Sequence, residues 1–434
     1  MAMRSCLRSF GCVRRRNFRD ARGPRGFGLI VVAALSCGTV QAAIPPSERE
    51  VLTELYAQTG GDTWLSNSGW NGPAGTECTW VGIACDDAQE HVIGISLAVN
   101  NLAGELPELA ALPALQTFDV SFNALTGPVP QLGSLGMLVS FSVRGNQLTG
   151  SVPVIAGLQN LRVFDVGSNQ LTGEIPDVST LTQLTSLSFY NNGLTGTLPQ
   201  LSTLTLLEDF DASDNHLTGT LPNLSNLTRL RAFSVYSNEL TGPLPSLATL
   251  VDLQFFFALS NHFSGSIPSL EGPSALGYYE VDRNELTGSI PSLSVQPNLL
   301  AFTAPWNHLS GEIPPLQQLQ GLEFFMVSYN ELTGAIPELA ALTQLIYFEV
   351  EHNRLTGSIP RLDGLTQLYD LRVGYNQLSG DVPPTPSPSS MQPGWSELCP
   401  NLLTQLPAPD WDAATGITPW YSTCDVIFGD GFEN

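Results

Sequence analysis

Thirteen asparagines recur at an interval of 23 residues without a slip. They are Asn100, Asn123, Asn146, Asn169, Asn192, Asn215, Asn238, Asn261, Asn284, Asn307, Asn330, Asn353 and Asn376. So short and regular a period constrains the chain to a stack of similar coils, because one such unit cannot bury its own apolar edge. Around each asparagine runs the pattern L-x-x-L-x-L-x-x-N-x-L-x-G-x-I-P-x-L-x-x-L. One copy is Leu161-Arg162-Val163-Phe164-Asp165-Val166-Gly167-Ser168-Asn169-Gln170-Leu171-Thr172-Gly173-Glu174-Ile175-Pro176. Coils are numbered 1 to 13 here, in the order of their asparagines.

Each position in the pattern has a physical reading. Phe164 and Val166 stand five and three residues before the asparagine and alternate with polar neighbours. That alternation is the mark of a short strand with one buried face. Leu171 and Ile175 face the same core as the chain turns away. Gly173 permits close approach or a positive φ. Pro176 fixes φ on the convex side, where no ladder donor is needed. The asparagine sits among inward-facing leucines, so its amide must be hydrogen-bonded. Its partners are expected in its own coil and the neighbouring one, which makes the thirteen residues a ladder. At ~4.8 Å per strand, thirteen strands give a parallel sheet on the order of 60 Å long.

The flanks read differently. Residues 1–42 resemble an export signal: Arg4, Arg8, Arg14, Arg15, Arg16, Arg19, Arg22 and Arg25, then an apolar run from Phe27 to Leu35, then Val40-Gln41-Ala42. The run is too short to span a bilayer. A twin-arginine variant around Arg15-Arg16 and a lipid-anchoring variant at Cys37 stay open beside the simple cleaved signal. The leader holds eight of the 17 basic residues, all arginine, and one of the 40 acids, so the remainder carries 9 − 39 = −30. Such a surface repels nucleic acid and anionic membranes. Cys78, Cys85, Cys399 and Cys424 remain after the leader, one pair near each end. In an exported chain they read as two local disulfides.

The first cap is expected over residues 43–91, with a capping box at Ser47-Glu48-Arg49-Glu50 opening a helix that stops at Gly60-Gly61. Trp64, Trp70 and Trp80 are expected to plug the first coil. The coils occupy residues 92–382. A Pro/Ser-rich stretch, 383–394, reads as extended linker. A second cap follows over 395–424, then a tail of unassigned role over 425–434.

Trp70-Asn71-Gly72, then Cys78-Thr79-Trp80-Val81-Gly82-Ile83-Ala84-Cys85, then repeats of L-T-G-x-I-P: this order resembles the plant-type leucine-rich-repeat family. That family includes plant receptor-kinase ectodomains and polygalacturonase-inhibiting proteins. The likeness covers residues 47 to 382. It implies an α/β repeat solenoid, a right-handed leucine-rich-repeat superhelix of about 13 coils with a parallel concave β-sheet and a disulfide-bearing cap at each end. The repeat here is 23 residues, one fewer than the family's usual 24, and no kinase domain follows. In this it resembles the stand-alone exported proteins with such repeats in bacteria. The expected location is outside the cell or on its surface.

Chemistry is sparse. His216, His262 and His308 each follow a ladder asparagine, 46 residues apart, or about 10 Å on the sheet spacing, too far to share an ion. Asp209/Asp211, Glu280/Asp282 and Glu349/Glu351 are carboxylate pairs about 6.5 Å apart on open strands. Catalytic pairs need a water-excluding pocket, so these predict an acidic face, with calcium as the rival reading. No catalytic residue, cofactor or metal site is expected.

The exposed strand positions do carry a gradient. Early coils offer Ser140, Ser142, Gly145, Gly167 and Ser168. The column just before the asparagine later reads Arg283, Trp306, Tyr329, His352, Tyr375 in consecutive coils. Nearby columns add Phe255, Phe257, Tyr278, Phe324, Met326 and Tyr347, with Glu280, Asp282, Glu349 and Glu351 among them. Large aromatics on a face that need not be buried point to binding. Coils 8 to 13 are therefore the expected patch, for a protein or peptide, with a basic one suiting the acids. A glycan stacked on the rings is the alternative, as is a structural or ice-interacting surface on the array Thr149, Thr172, Thr195. The rings stacking only on each other would give the same pattern.

Overall fold

The computed structural model describes residues 43–424. The leader and the tail read from the sequence lie outside them. Each coil contributes one short strand to the concave sheet, from Val92–Ser96 in coil 1 through Thr117–Asp119 in coil 2 to Asp370–Arg372 in coil 13, and most coils carry a second short strand after the asparagine, in smaller sheets. The coil strands pair in parallel, in chain order, with no drift in register: Phe210 opposes Phe233, Phe233 opposes Phe256, and Phe256 opposes Tyr279. The cap strand Ile83–Cys85 adds to the first coil antiparallel, which completes a 14-stranded sheet.

The constant register stacks identical positions. Five residues before each asparagine runs an inward aromatic spine, with neighbouring rings 5.3 to 5.9 Å apart from Phe210 to Phe348. Leucines at the other core positions are fully buried in coil after coil, Leu171, Leu194, Leu217 and Leu240 among them. Each such side chain contributes about 1.5–3 kcal/mol relative to exposure, and it does so against the neighbouring coil.

The asparagine ladder forms as expected. Asn307 Oδ1 accepts the Leu286 backbone N–H of the preceding coil at 2.9 Å. Its amide donates to the carbonyls of Val281, also in that coil, at 3.0 Å and of its own Ala304 at 3.2 Å. The same set repeats at Asn330 and Asn353. The ladder also reaches into both caps. Asn100 exchanges hydrogen bonds with the Ser66 backbone at 2.7 and 3.0 Å. Asn401 accepts the Leu378 N–H at 2.9 Å and donates to the Val373 carbonyl at 2.8 Å.

The first cap begins with a helix, α1, over Pro46–Gln58. The expected capping box does not form. Pro46 occupies the first helical turn, where a missing N–H costs nothing, so the helix starts before Ser47 and no side chain caps it. Glu48 turns inward instead and accepts the Val92 N–H at 2.7 Å and a bond from His91 at 2.6 Å. Gly60, at φ 70°, follows the helix. Trp64, Trp70 and Trp80 are buried and in mutual contact, with centroids 4.9 and 5.1 Å apart. Cys78 bonds to Cys85, and Cys399 to Cys424.

At the other end the Pro/Ser-rich stretch is no free spacer. Ser390 donates to Thr366, and the Gln392 N–H donates to the Tyr369 carbonyl at 3.0 Å. Glu397 then bridges Arg372, and Leu402–Leu403 pairs in parallel with Ser379–Gly380. The segment is thus the crossing part of a fourteenth, longer coil, and Asn401 is that coil's asparagine. A short helix, α2, over Pro409–Thr415, closes the stack.

Candidate functional site

The concave face of coils 8 to 13 has two aromatic columns with a polar floor between them. The first column is the residue before each ladder asparagine. In every coil this residue has a positive φ, 49° at Arg283, 58° at Trp306, 53° at Tyr329, 55° at His352 and 51° at Tyr375. The chain bends there to turn its asparagine inward. The left-handed conformation costs a non-glycine residue about 1 kcal/mol, and it points the side chain out of the sheet. Identical backbone in successive coils then sets the rings face to face. Trp306 lies 3.7 Å from Tyr329, Tyr329 lies 4.1 Å from His352, and His352 lies 3.9 Å from Tyr375, all within 14° of parallel. Arg283 covers the outer face of Trp306 at 5.6 Å. Burial holds the His352 pKa below its usual value, which favours the neutral ring inside the stack.

The second column stands six residues before the asparagine. Phe255 stacks on Tyr278 at 5.5 Å. Ala301 interrupts it. Phe324 then stacks on Tyr347 at 5.6 Å, Tyr347 meets Tyr369, and Tyr369 meets Trp395 of the C-terminal cap edge-on at 5.4 Å.

Between the columns lie the positions four and two before the asparagine. Phe257, Glu280, Met326 and Glu349 are half-buried at the first of these. At the second are Asp282, half-buried, and Glu351, buried. Burial raises Asp282 to about 6, although the Thr303 hydroxyl, 2.6 Å away, opposes this. Burial raises Glu280 as well. Glu349 is pushed up to about 7 by burial, with Glu351 adding to the shift and Arg372 opposing it. Glu351 and Glu397 are raised for the same first reason. Glu351 Oε2 and the fully buried Asp370 Oδ1 have no hydrogen-bond partner. Asp370 Oδ2 accepts from Arg372 Nε at 2.8 Å. Four carboxylates, Glu349, Glu351, Asp370 and Glu397, therefore share Arg372 at the end of the trough. A cavity of about 500 Å³ opens beside them, lined by Arg372, Tyr375, Trp395, Glu397 and Trp420.

All twelve residues expected from the sequence thus lie along this trough. Missed were Asp370, Arg372 and the cap residues Trp395 and Glu397. The repeat pattern ends before the cap, so nothing in the sequence placed Glu397 opposite Arg372. The histidines hold a second surprise. His216, His262 and His308 face Glu239, Glu285 and Glu331 of the following coils at 3.7, 3.1 and 3.9 Å. The signal was the column just after the asparagine, which alternates histidine and glutamate. Among the described residues no group of three or more histidine, cysteine or acidic side chains is placed to hold a metal ion.

Several solved structures resemble the chain. PEPR1 in complex with AtPEP1 matches with a TM-score of 0.74 and 27% identity, over 85% of this chain and 54% of that one. The Arabidopsis receptor kinase HAESA, in complex with the peptide hormone IDA and the co-receptor SERK1, matches at 0.66 and 26%, over 85% and 68%. The chain thus spans only about half the length of the first. A plant ice-binding protein matches at 0.53 and 24% identity, over 72% and 95%, a likeness of fold alone. No family model matches, and no curated protein does.

Proposed function

We propose that this chain, a plant-type leucine-rich-repeat protein, binds an extended peptide or protein segment in the trough of coils 8 to 13. The observation that carries the reading is the trough itself: aromatic walls on both sides of a floor whose carboxylates are desolvated and short of cations. A basic segment would supply the missing charge while its backbone lies between the walls. The likeness to a receptor kinase solved in complex with a peptide hormone supports a peptide partner.

A sugar would need a free ring face to stack on. Trp306, Tyr329 and His352 have both faces covered by neighbours, so the ridge offers edges. This favours peptide over glycan. Two disulfides and a strongly acidic surface suit a protein that works outside the reducing cytosol. No helix among the described residues is long and apolar enough to cross a membrane.

The test is capture by the purified chain from extracellular proteins and polysaccharides, wild type against Trp306→Ala/Tyr329→Ala, at low and high salt. A protein held by the wild type, lost in the variant and weakened by salt is the expected result. Capture that survives the double substitution moves the function off this face.

A further inference from the structure

We infer that the trough is a ruler for two basic side chains four residues apart in an extended segment, with an apolar residue midway. The inference rests on the peptide-binding reading above and adds the sequence preference of the ligand.

The first acidic station is Glu280 and Asp282 in coil 9. The second is Glu349 and Glu351 in coil 12, joined by Glu397. They are three coils apart, about 14 Å at the strand spacing of a sheet. An extended chain advances about 3.3–3.4 Å per residue, so four residues cover about 13.5 Å. The parity agrees with the length. Side chains of an extended segment alternate between faces, so residues i and i+4 both point at the floor, as does i+2 between them. Spacings of three or five reach nearly as far but turn one side chain away.

Between the stations the floor is uncharged. Thr303 and Pro305 stand there in coil 10, Met326 and Ser328 in coil 11. Met326 is half-buried and offers an adaptable apolar contact to the middle residue. The second station differs from an ordinary solvated acidic face in one respect. Glu351 is 5% exposed, and its Oε2 has no hydrogen-bond partner. A buried unsatisfied carboxylate oxygen is costly, and an ammonium or guanidinium removes that cost once the Glu351 side chain turns out to meet it. Arg372 is already engaged by Asp370 and is outnumbered by the acids around it. Burial raises the pKa values of Asp282 and Glu349, and the nearby guanidiniums of Arg283 and Arg372 offset this only in part.

Fluorescence anisotropy with synthetic peptides tests the ruler. The probe Gly-Lys-Ala-Leu-Ala-Lys-Gly reads the same in both directions, so the orientation of binding is immaterial. Companions carry one alanine fewer or one more between the lysines, or glutamine in place of one or both lysines. The four-residue spacing is expected to bind about tenfold tighter than either neighbouring spacing or a single-lysine peptide. Glu280→Gln/Asp282→Asn and Glu349→Gln/Glu351→Gln are near-isosteric, and each should erase the advantage of the second lysine. Binding of all spacings within about twofold of one another, or of the glutamine peptide as tightly as the lysine one, overturns the ruler. The wider reading survives that result if Trp306→Ala still abolishes binding. Absence of binding by every peptide overturns the ruler too, and the capture experiment then judges the trough alone.

Discussion

Coils 2 to 5 and coils 8 to 13 share one backbone and one ladder, yet their concave faces behave differently. In the early coils large rings are present but out of step. Phe122 stands before its asparagine with Gly145 next in column, and a Cβ at Gly145 would meet the Phe122 ring at 2.8 Å. Tyr190 likewise lies over Gly167, where a Cβ would come within 2.2 Å of the ring. Arg144 packs over both rings, at 5.2 and 5.0 Å. The early rings fold down over glycines and hold a cation. In the late coils five consecutive large residues fill one column, so none can fold down, and they stand as a ridge. The residues decide little one by one. Whether neighbours in the column leave room decides whether a ring becomes a wall or a lid.

The largest effect should ignore the difference between the two regions. Asn169→Ala and Asn330→Ala each strand a buried leucine N–H and several carbonyls, and each should cost about 2–3 kcal/mol in urea unfolding. A tenth of that cost in one region would mean its ladder is not what holds the coils. Binding should separate the regions sharply. Trp306→Ala is expected to weaken capture of the partner at least about tenfold, as for an interface anchor, whereas Phe122→Ala should leave it unchanged. Equal losses would erase the functional contrast drawn here.

Smaller effects probe how the ridge is built. Tyr329 is held at φ 53°. Tyr329→Gly and Tyr329→Ala both lose the two stacking contacts, but glycine also relieves the backbone. The glycine variant should therefore be about 1 kcal/mol more stable than the alanine one. At Gly145 in the early coils, φ is 67°, and Gly145→Ala should destabilise by at least about 1 kcal/mol, because the new Cβ must also displace the Phe122 ring. Thermal melts of these three variants measure both.

The smallest effect is a pH slope that comes mainly from the late coils, with Asp165 of coil 4 adding a share through its own burial. Glu349 titrates near 7 when folded, against an ordinary value of 4.5. Between those limits the folded chain keeps a proton that the unfolded chain has released. Stability should therefore fall as pH rises through that window. Asp282 contributes in the same direction between 3.8 and about 6. Glu351, Arg372, Asp370 and Asp282 act on Glu349, so Glu349→Gln should flatten part of the slope while leaving their share. An unchanged melting profile in that variant would show that Glu349 is better solvated than its surroundings suggest.

Much of this was legible beforehand. The 23-residue period, the strand alternation and the buried amide dictate the solenoid, since a short apolar unit has only its neighbours to pack against. The candidate patch was legible for the same reason, because a fixed period makes columns readable directly as neighbours in space. Legibility stopped where the period stopped. The capping box failed against a proline at the helix start, and residues 383–394 proved to be part of a coil because a longer unit ends the array.

The sequence by itself determined the coils, their order, their register and which side chains share a column. Those follow from spacing, which a parallel sheet converts into contact without further information. Only the tertiary structure decided that the late rings cover each other's faces, that Arg372 is already shared by Asp370 and its neighbouring acids, and that Glu351 is buried without a full set of partners. Those outcomes depend on how far each side chain is withdrawn from water and on what the cap brings across from outside the repeat, and neither is written in the period.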